Sequence, residues 1–316
     1  MKETIKHNLL PVLFIFLVTC ILFSKIFLKG FYPIPGDLLV SFYFPWYSGG
    51  WEGYNPWTTH KEMLGSDSIR QIYLWKEFAF EQIKQGKSPL WNPYTFSGQP
   101  LVANFQSSIF YPFNTVYFLT DPKTAWVILI VLQPFLAGIF MYMATRSFKI
   151  SRIGSSFAAI VFMFSSYQIT WMELGTVSHS YAYLPLAIWA VNKFFEKFKT
   201  RFLLVLTIGL SLSILAGHPQ TAIYVYLATF LFWLYKVNSS KQGFIKYSLI
   251  IFGIFLITFF LASTQLVPTY DFYKKSPISL PFSAEVFDRS IFPYKNLLTF
   301  FASDFFGHPA NNNFWS

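Results

Sequence analysis

The chain has 316 residues, of which 54% are hydrophobic and only 12% charged. Soluble domains carry about 25% charged residues, so this composition excludes an ordinary soluble domain and points to a bilayer. A net charge of +10 would suit nucleic acid, but in a membrane chain a basic surplus normally marks cytoplasmic loops. Aromatic residues reach 22%, a usage that fits lipid-facing helices and interfacial belts. Cys20 is the single cysteine, which rules out an internal disulfide and a cysteine metal site.

Lys2 and Lys6 lead into an apolar run from Leu9 to Leu28. About 20 apolar residues suffice to cross the hydrocarbon core, and no small-residue cleavage site follows. Residues 1–28 therefore read as a retained signal-anchor helix.

Residues 29–124 read as one long extracytoplasmic loop. Loops of this length are functional or disordered, and its Trp, Tyr and Phe content is too apolar for disorder. Ser66-Asp67, then Ile69, Ile72, Tyr73, Lys76, Phe80 and Ile83, then Gly86, predict a helix over 67–86. Ser66 would cap it, Asp67 would sit at the positive end of its dipole, and Gly86 would stop it. Trp75, Phe78 and Phe80 broaden the apolar face, as in a helix lying along the headgroups. Residues 87–114 follow, where Trp91, Tyr94, Phe96, Phe105, Phe110 and Tyr111 alternate with breaks at Pro89, Asn92-Pro93, Ser97-Gly98 and Pro100. No regular element survives such breaks, so the stretch reads as an aromatic-pinned coil over an outer vestibule.

Within 125–268 lie six more apolar runs, near 125–144, 153–170, 181–195, 202–217, 221–235 and 247–268. In lipid each must be a helix, because open strands leave backbone groups unpaired. The expected fold is all-α, a polytopic transmembrane bundle of about seven spans with a large folded first outer loop. The runs 181–195 and 202–217 are short enough to be tilted or re-entrant. Residues 269–316 form an extracytoplasmic C-terminal segment.

With the N-terminus inside, Arg146, Lys149, Arg152, Lys193, Lys197, Lys199, Arg201, Lys236, Lys241 and Lys246 all fall in cytoplasmic segments. The short outer turns 171–180 and 217–220 carry no Lys or Arg. The basic surplus is thereby explained without a nucleic-acid partner. Twelve of the fourteen acidic residues and four of the five histidines fall outside, so titratable chemistry is expected on the outer face.

The stretch 66–114 resembles the bacterial YfhO-type membrane proteins. It has an acidic residue followed by a Gln four positions on (Asp67, Gln71), then Gly86 through Pro93, Gly98-Gln99-Pro100, and Tyr111-Pro112-Phe113-Asn114. "AGHPQTAIY" (216–224) and "STQLVPTYDF" (263–272) fit the same pattern more loosely. The resemblance implies a GT-C glycosyltransferase of the bacterial cytoplasmic membrane. Such an enzyme moves a sugar from a polyprenyl-phosphate donor to a cell-envelope acceptor outside the cytoplasm. Its partners would be membrane lipid and the polyprenyl-phosphate sugar. Family members are usually longer, with more spans and a soluble outer domain, so the chain reads as a truncated or partial member.

On this reading an acid of the first outer loop serves as base or metal ligand, and the candidates are Asp67 and Asp37. Asp67 has the alternative role of a helix N-terminal charge, and Asp37, in "IPGDLL", that of stabilising a turn. Glu173 and His179 flank an outer turn, facing either a wet cavity or the headgroups. His218 either bonds a phosphate or caps the preceding helix, with Gln220 beside it. Arg70 either neutralises Asp67, contacts phosphate or lies on the surface. Gln71, Trp91 and Asn92 join the substrate-binding set through the first-loop motif. No phosphate-cradling Gly loop, Ser-His-Asp order or His-rich spacing occurs, so a divalent cation (Mg or Mn) would be held by carboxylates and water. The rival readings are a transporter or lipid-handling protein without covalent chemistry, or an inactive remnant. Ionisable residues are nearly absent from the middle of the spans, which disfavours ion-coupled transport.

Overall fold

The computed structural model describes residues 2–36, 38, 43–49, 66–95, 97–240, 243–276, 293–308 and 313–315. Asp37 lies outside the described residues. Predominantly helical throughout, the chain divides into two units, one of Met1–Ile34 with Asp67–Asp271 and one of Pro35–Ser66 with Phe272–Ser316. The predicted outer loop 29–124 is thus shared between them.

In the first unit the helices are α1 (Lys2–Leu22), α2 (Ser24–Lys29), α3 (Tyr73–Lys84), α4 (Pro122–Ser147), α5 (Arg152–Met163), α6 (Ser166–Met172), α7 (Val177–Lys197), α8 (Thr200–Leu215), α9 (Pro219–Ser240), α10 (Phe244–Leu261) and α11 (Ser263–Lys275). Two short strands, β1 (Trp91–Asn92) and β2 (Gln99–Pro100), pair antiparallel with Trp91 opposite Pro100. In the second unit, Phe306 packs edge-on against Trp315 at 4.9 Å, and the Trp315 amide donates to the Phe306 carbonyl.

Local chemistry accounts for most boundaries. The Asp121 carboxylate accepts from the amides of Lys123 (3.0 Å) and Thr124 (3.1 Å), and Pro122 occupies the first position of α4. Ser151 caps α5 through the Gly154 amide. Ser165 re-caps the chain through the Gln168 amide, so the predicted run 153–170 is two helices, bent by 46°. The run 247–268 is also divided: α10 stops at Leu261, and α11 starts afresh with the polar Ser263-Thr264-Gln265.

Helices α4 and α10 are long and apolar enough to cross a membrane, and the bent pair α5–α6 makes a third when taken as one span. Helices α7 and α9 have the length, but Tyr, Trp and terminal Lys dilute their apolarity, while α8 is apolar over only 16 residues.

At the centre stands α7, packed against α4, α8 and α9. Its buried Ala182, Ala187 and Ala190 present little bulk, which lets the neighbouring backbones approach. At its C-terminal end Asn192 donates to the Ser147 carbonyl (3.0 Å) and accepts from Lys236 Nζ (2.8 Å), tying α4, α7 and α9 together. Beside this knot, Trp233 stacks on Phe194 at 5.5 Å.

Candidate functional site

The first-loop helix opens with a π turn, Ser68–Ile72, before α3, and Gly86 at φ +70° ends it. Asp67 stands at the N-terminal end of the helix as expected, but it, and not Ser66, occupies the cap position. The Asp67 side chain makes no cap hydrogen bond and instead accepts from Gln71 Nε2 at 3.0 Å. Nor does the helix simply lie on headgroups, because Ser68, Ile72, Lys76 and Phe80, spaced every four residues, are all buried against the helical body. Phe80 stacks on Tyr117 at 4.9 Å, and Tyr73 meets Trp126 edge-on at 5.6 Å.

The aromatic stretch that follows is more ordered than a coil. The strand pair turns through Asn92, whose side chain accepts from the Tyr94 amide and donates to Thr95 Oγ1, both at 2.9 Å. Leu101, Val102 and Ile109 pack with Ala79 of α3. Gln265 Nε2 of α11 donates to the Val102 carbonyl at 2.8 Å, and Thr269 Oγ1 to the Ala103 carbonyl at 2.9 Å. Gly217, at φ +106°, lies so close that an added Cβ would meet Ser108 Cβ at 2.8 Å and the Phe105 carbonyl at 3.2 Å. The stretch 101–108 therefore sits as a roof on the α8–α9 turn and on α11. Gln265→Leu is expected to cost about 1–3 kcal/mol by orphaning the buried Val102 carbonyl. Amide exchange across 101–104 should then quicken while that of α7 does not.

Beneath the roof lies a buried polar node. Lys76 is 1% exposed, and Nζ donates to the Gly175 carbonyl at 3.3 Å. That carbonyl follows the end of α6, where helix carbonyls carry partial negative charge. Among the described residues no carboxylate pairs with this amine, and burial pushes it down to about 7. His179, 1% exposed on the first turn of α7, is close enough to feel the Lys76 charge. Its Nδ1 lies 3.1 Å from Tyr111 Oη, which bonds Tyr183 Oη at 2.9 Å. Burial holds the Tyr111 phenol well above its usual range. Among the described residues the Thr176 Oγ1 and Ser180 Oγ atoms have no hydrogen-bond partner, and the His179 ring also faces the Leu129 backbone. The imidazole and the two phenols form one hydrogen-bonded chain, while the Lys76 amine bonds the Gly175 carbonyl; all four side chains are buried.

Asp67, Gln71, His218, Gln220 and Asn92 make their hydrogen bonds outside this node. Asp67, Arg70 and Gln71 are exposed at the start of the first-loop helix, and Glu173 is half-buried after α6. His218 does not cap the preceding helix. Its Nδ1 accepts from the Thr221 amide at 3.3 Å and contacts Thr221 Oγ1 at 2.7 Å, so it caps the following α9. Burial lowers its pKa. Gln220 is exposed and donates to Tyr224 Oη at 2.6 Å. Trp91 is half exposed with its ring over Gly98, and buried Asn92 is spent on its own turn. Among the described residues no three His, Asp, Glu or Cys side chains are placed to hold a metal ion, so the carboxylate-held divalent cation has no site there.

Sequence reasoning passed over Lys76, Tyr111, Tyr183, Gln265 and Thr269. For Lys76 a signal existed: it occupies an apolar phase of the helix, in step with Ile72 and Phe80.

An apolar groove of about 420 Å³ opens under Phe105, walled by Ile214, Ala222, Tyr226, Phe259 and Leu266. Comparison with protein-family models, curated proteins and solved structures finds no match for this chain.

Proposed function

We propose that this chain is a polytopic membrane glycosyltransferase of the GT-C, YfhO-like type, taking sugar from a polyprenyl-phosphate carrier at the outer face. One observation carries the reading. The three stretches that bear the resemblance, 66–114, 216–224 and 263–272, are far apart in sequence yet joined at Ser108–Gly217, Val102–Gln265 and Ala103–Thr269. A shared motif pattern that closes into one structural unit is what a common roof over a lipid site requires. The groove under Phe105 has the apolar lining that an isoprenoid tail needs.

In this reading α1, α4, the α5–α6 pair, α7, α8, α9 and α10 make seven passages, with the N-terminus in the cytoplasm. Asp67, exposed at the start of the first-loop helix, is the base that takes the acceptor proton, with Asp37 the other candidate. The test is transfer from a polyprenyl-phosphate sugar in proteoliposomes. Asp67→Asn or Asp37→Asn is expected to lower transfer at least about 100-fold at unchanged protein level. Full activity in both variants removes the proposed base. The second reading, a lipid-handling protein without covalent chemistry, is favoured by the wholly apolar groove. It predicts polyprenyl-phosphate binding that is lost on filling the groove, with no turnover in the parent protein.

A further inference from the structure

Separate from the roofed groove, a second and larger hollow of about 630 Å³ runs along the seam of α1 and α5. Leu10, Phe14 and Leu17 form one wall, and Ile153, Phe157 and Ile160 the other, both at helical spacing. These side chains are not the ones that hold α1 in place. Ile15 does that, buried against Gly138 and Met163. The seam is therefore an outward-facing apolar furrow whose floor is the packed α1–α4–α5 contact.

One end of the furrow is charged. Arg152 lines it at the first position of α5, where the helix dipole adds partial positive charge. Lys149 and Arg146 stand in the same short connection, although Arg146 is engaged with the Ile150 carbonyl. No acidic residue occurs between Pro122 and Met172; Glu196, in the last turn of α7, acts on Lys149, which leaves Arg152 as the cation of this end that faces the furrow. From Arg152 to Ile160 the furrow follows α5 for about 12 Å, at 1.5 Å per residue. A cationic mouth on a long apolar trough is complementary to one chemistry, an anionic head on a hydrocarbon tail.

We infer that the α1–α5 seam binds an anionic phospholipid, with its acyl chain in the furrow and its phosphate on Arg152. The inference rests on α4 and the α5–α6 pair lying in a bilayer and is independent of glycosyl transfer, because its readouts are lipid retention and melting temperature. Phosphate bonds to Arg bidentately, and among the described residues no carboxylate pairs with Arg152.

The experiment uses the full chain in nanodiscs of phosphatidylglycerol or of phosphatidylcholine with identical acyl chains. Melting temperature is measured in each, and co-purifying lipid is weighed by native mass spectrometry. Phosphatidylglycerol is expected to raise the melting temperature by several degrees over phosphatidylcholine and to be retained through purification. Arg152→Gln should abolish most of that gap, Arg152→Lys should keep part of it, and Lys87→Gln in the first outer loop should leave it intact. Phe157→Ala should reduce retention of both lipids. Equal melting and retention in the two lipids overturns the inference, as does a full gap in Arg152→Gln. Two further outcomes also overturn it: inorganic phosphate in phosphatidylcholine discs reproducing the shift, or a lipid-independent dimer that Phe157→Ala dissociates.

Discussion

Lys76→Met is expected to stabilise the protein at pH 7, and to flatten a rise in stability that the parent protein shows between about pH 7.5 and 9.5. The lysine titrates near 10.5 when unfolded and is pushed to about 7 by burial in the fold. Between those values the unfolded chain binds the proton and the folded chain does not, so stability climbs with pH across that window and the full burial cost is present below it. At about 1.4 kcal/mol per unit, the cost reaches several kcal/mol at neutral pH. Against it stands one hydrogen bond to the Gly175 carbonyl, worth about 1–2 kcal/mol. Methionine keeps the length of the side chain and its packing beside Ile72 and Phe80, so the net gain should be about 2 kcal/mol. The readouts are melting temperature and amide exchange of residues 73–84 as functions of pH. A variant that loses stability yet keeps the parent's pH slope contradicts a neutralised, buried lysine. A variant more stable but less active marks Lys76 as a residue retained for positioning the roof helix, through His179 and Tyr111, rather than for stability.

How much of this was legible beforehand depended on the range of the interaction. Caps act within three or four residues, so Asp121-Pro122, Ser151 and Gly86 were open to reading from sequence. The break at Ser165 was equally local. It was hidden because the flanking residues Phe162, Phe164, Tyr167 and Ile169 keep hydropathy high across the bend. Hydropathy reports what a segment is made of, and a 46° turn leaves that unchanged. The direction in which His218 caps was open to either helix until Pro219 is weighed. A proline suits the first position of α9, which makes the residue before it the cap.

The long-range ties were beyond sequence reasoning. The bond between Gln265 and Val102 spans 163 residues, and neither residue advertises its partner. The same holds for the node. Tyr111, Tyr183 and His179 come from two elements, and their convergence follows from how the roof lands on α7. Of the two candidate bases, Asp37 lies outside the described residues. Asp67 pairs with Gln71 one turn away, where a helix-spaced donor is always within reach. The chemistry gathered under the roof is basic and phenolic instead.

Gly217→Ala is expected to destabilise the protein by about 3 kcal/mol, by unseating the roof. At φ +106° the backbone occupies a region that costs an L-residue on the order of 1–3 kcal/mol. The new methyl would also lie 2.8 Å from Ser108 Cβ and 3.1 Å from Thr176 Cγ2, distances that force one chain away. The α8–α9 turn lies between two helices and is held by the His218 cap, whereas 101–108 is an irregular segment held by its packing on α3 and by hydrogen bonds from α11 and Asn114, so the roof is the part expected to move. Ser108→Gly separates the two terms. Ser108 is itself at φ +46°, so glycine suits that position and the single change should be close to neutral. In the double variant the clash with Ser108 is gone and the strain at 217 remains, which predicts recovery of about 1 kcal/mol in a double-mutant cycle. Strict additivity would place the cost at 217 alone and leave the roof seated. A lifted roof also uncovers the groove beneath Phe105. Gly217→Ala should therefore raise labelling of a cysteine placed at Ile214 by a membrane-impermeant thiol reagent, in Cys20→Ser protein, from the outer side only.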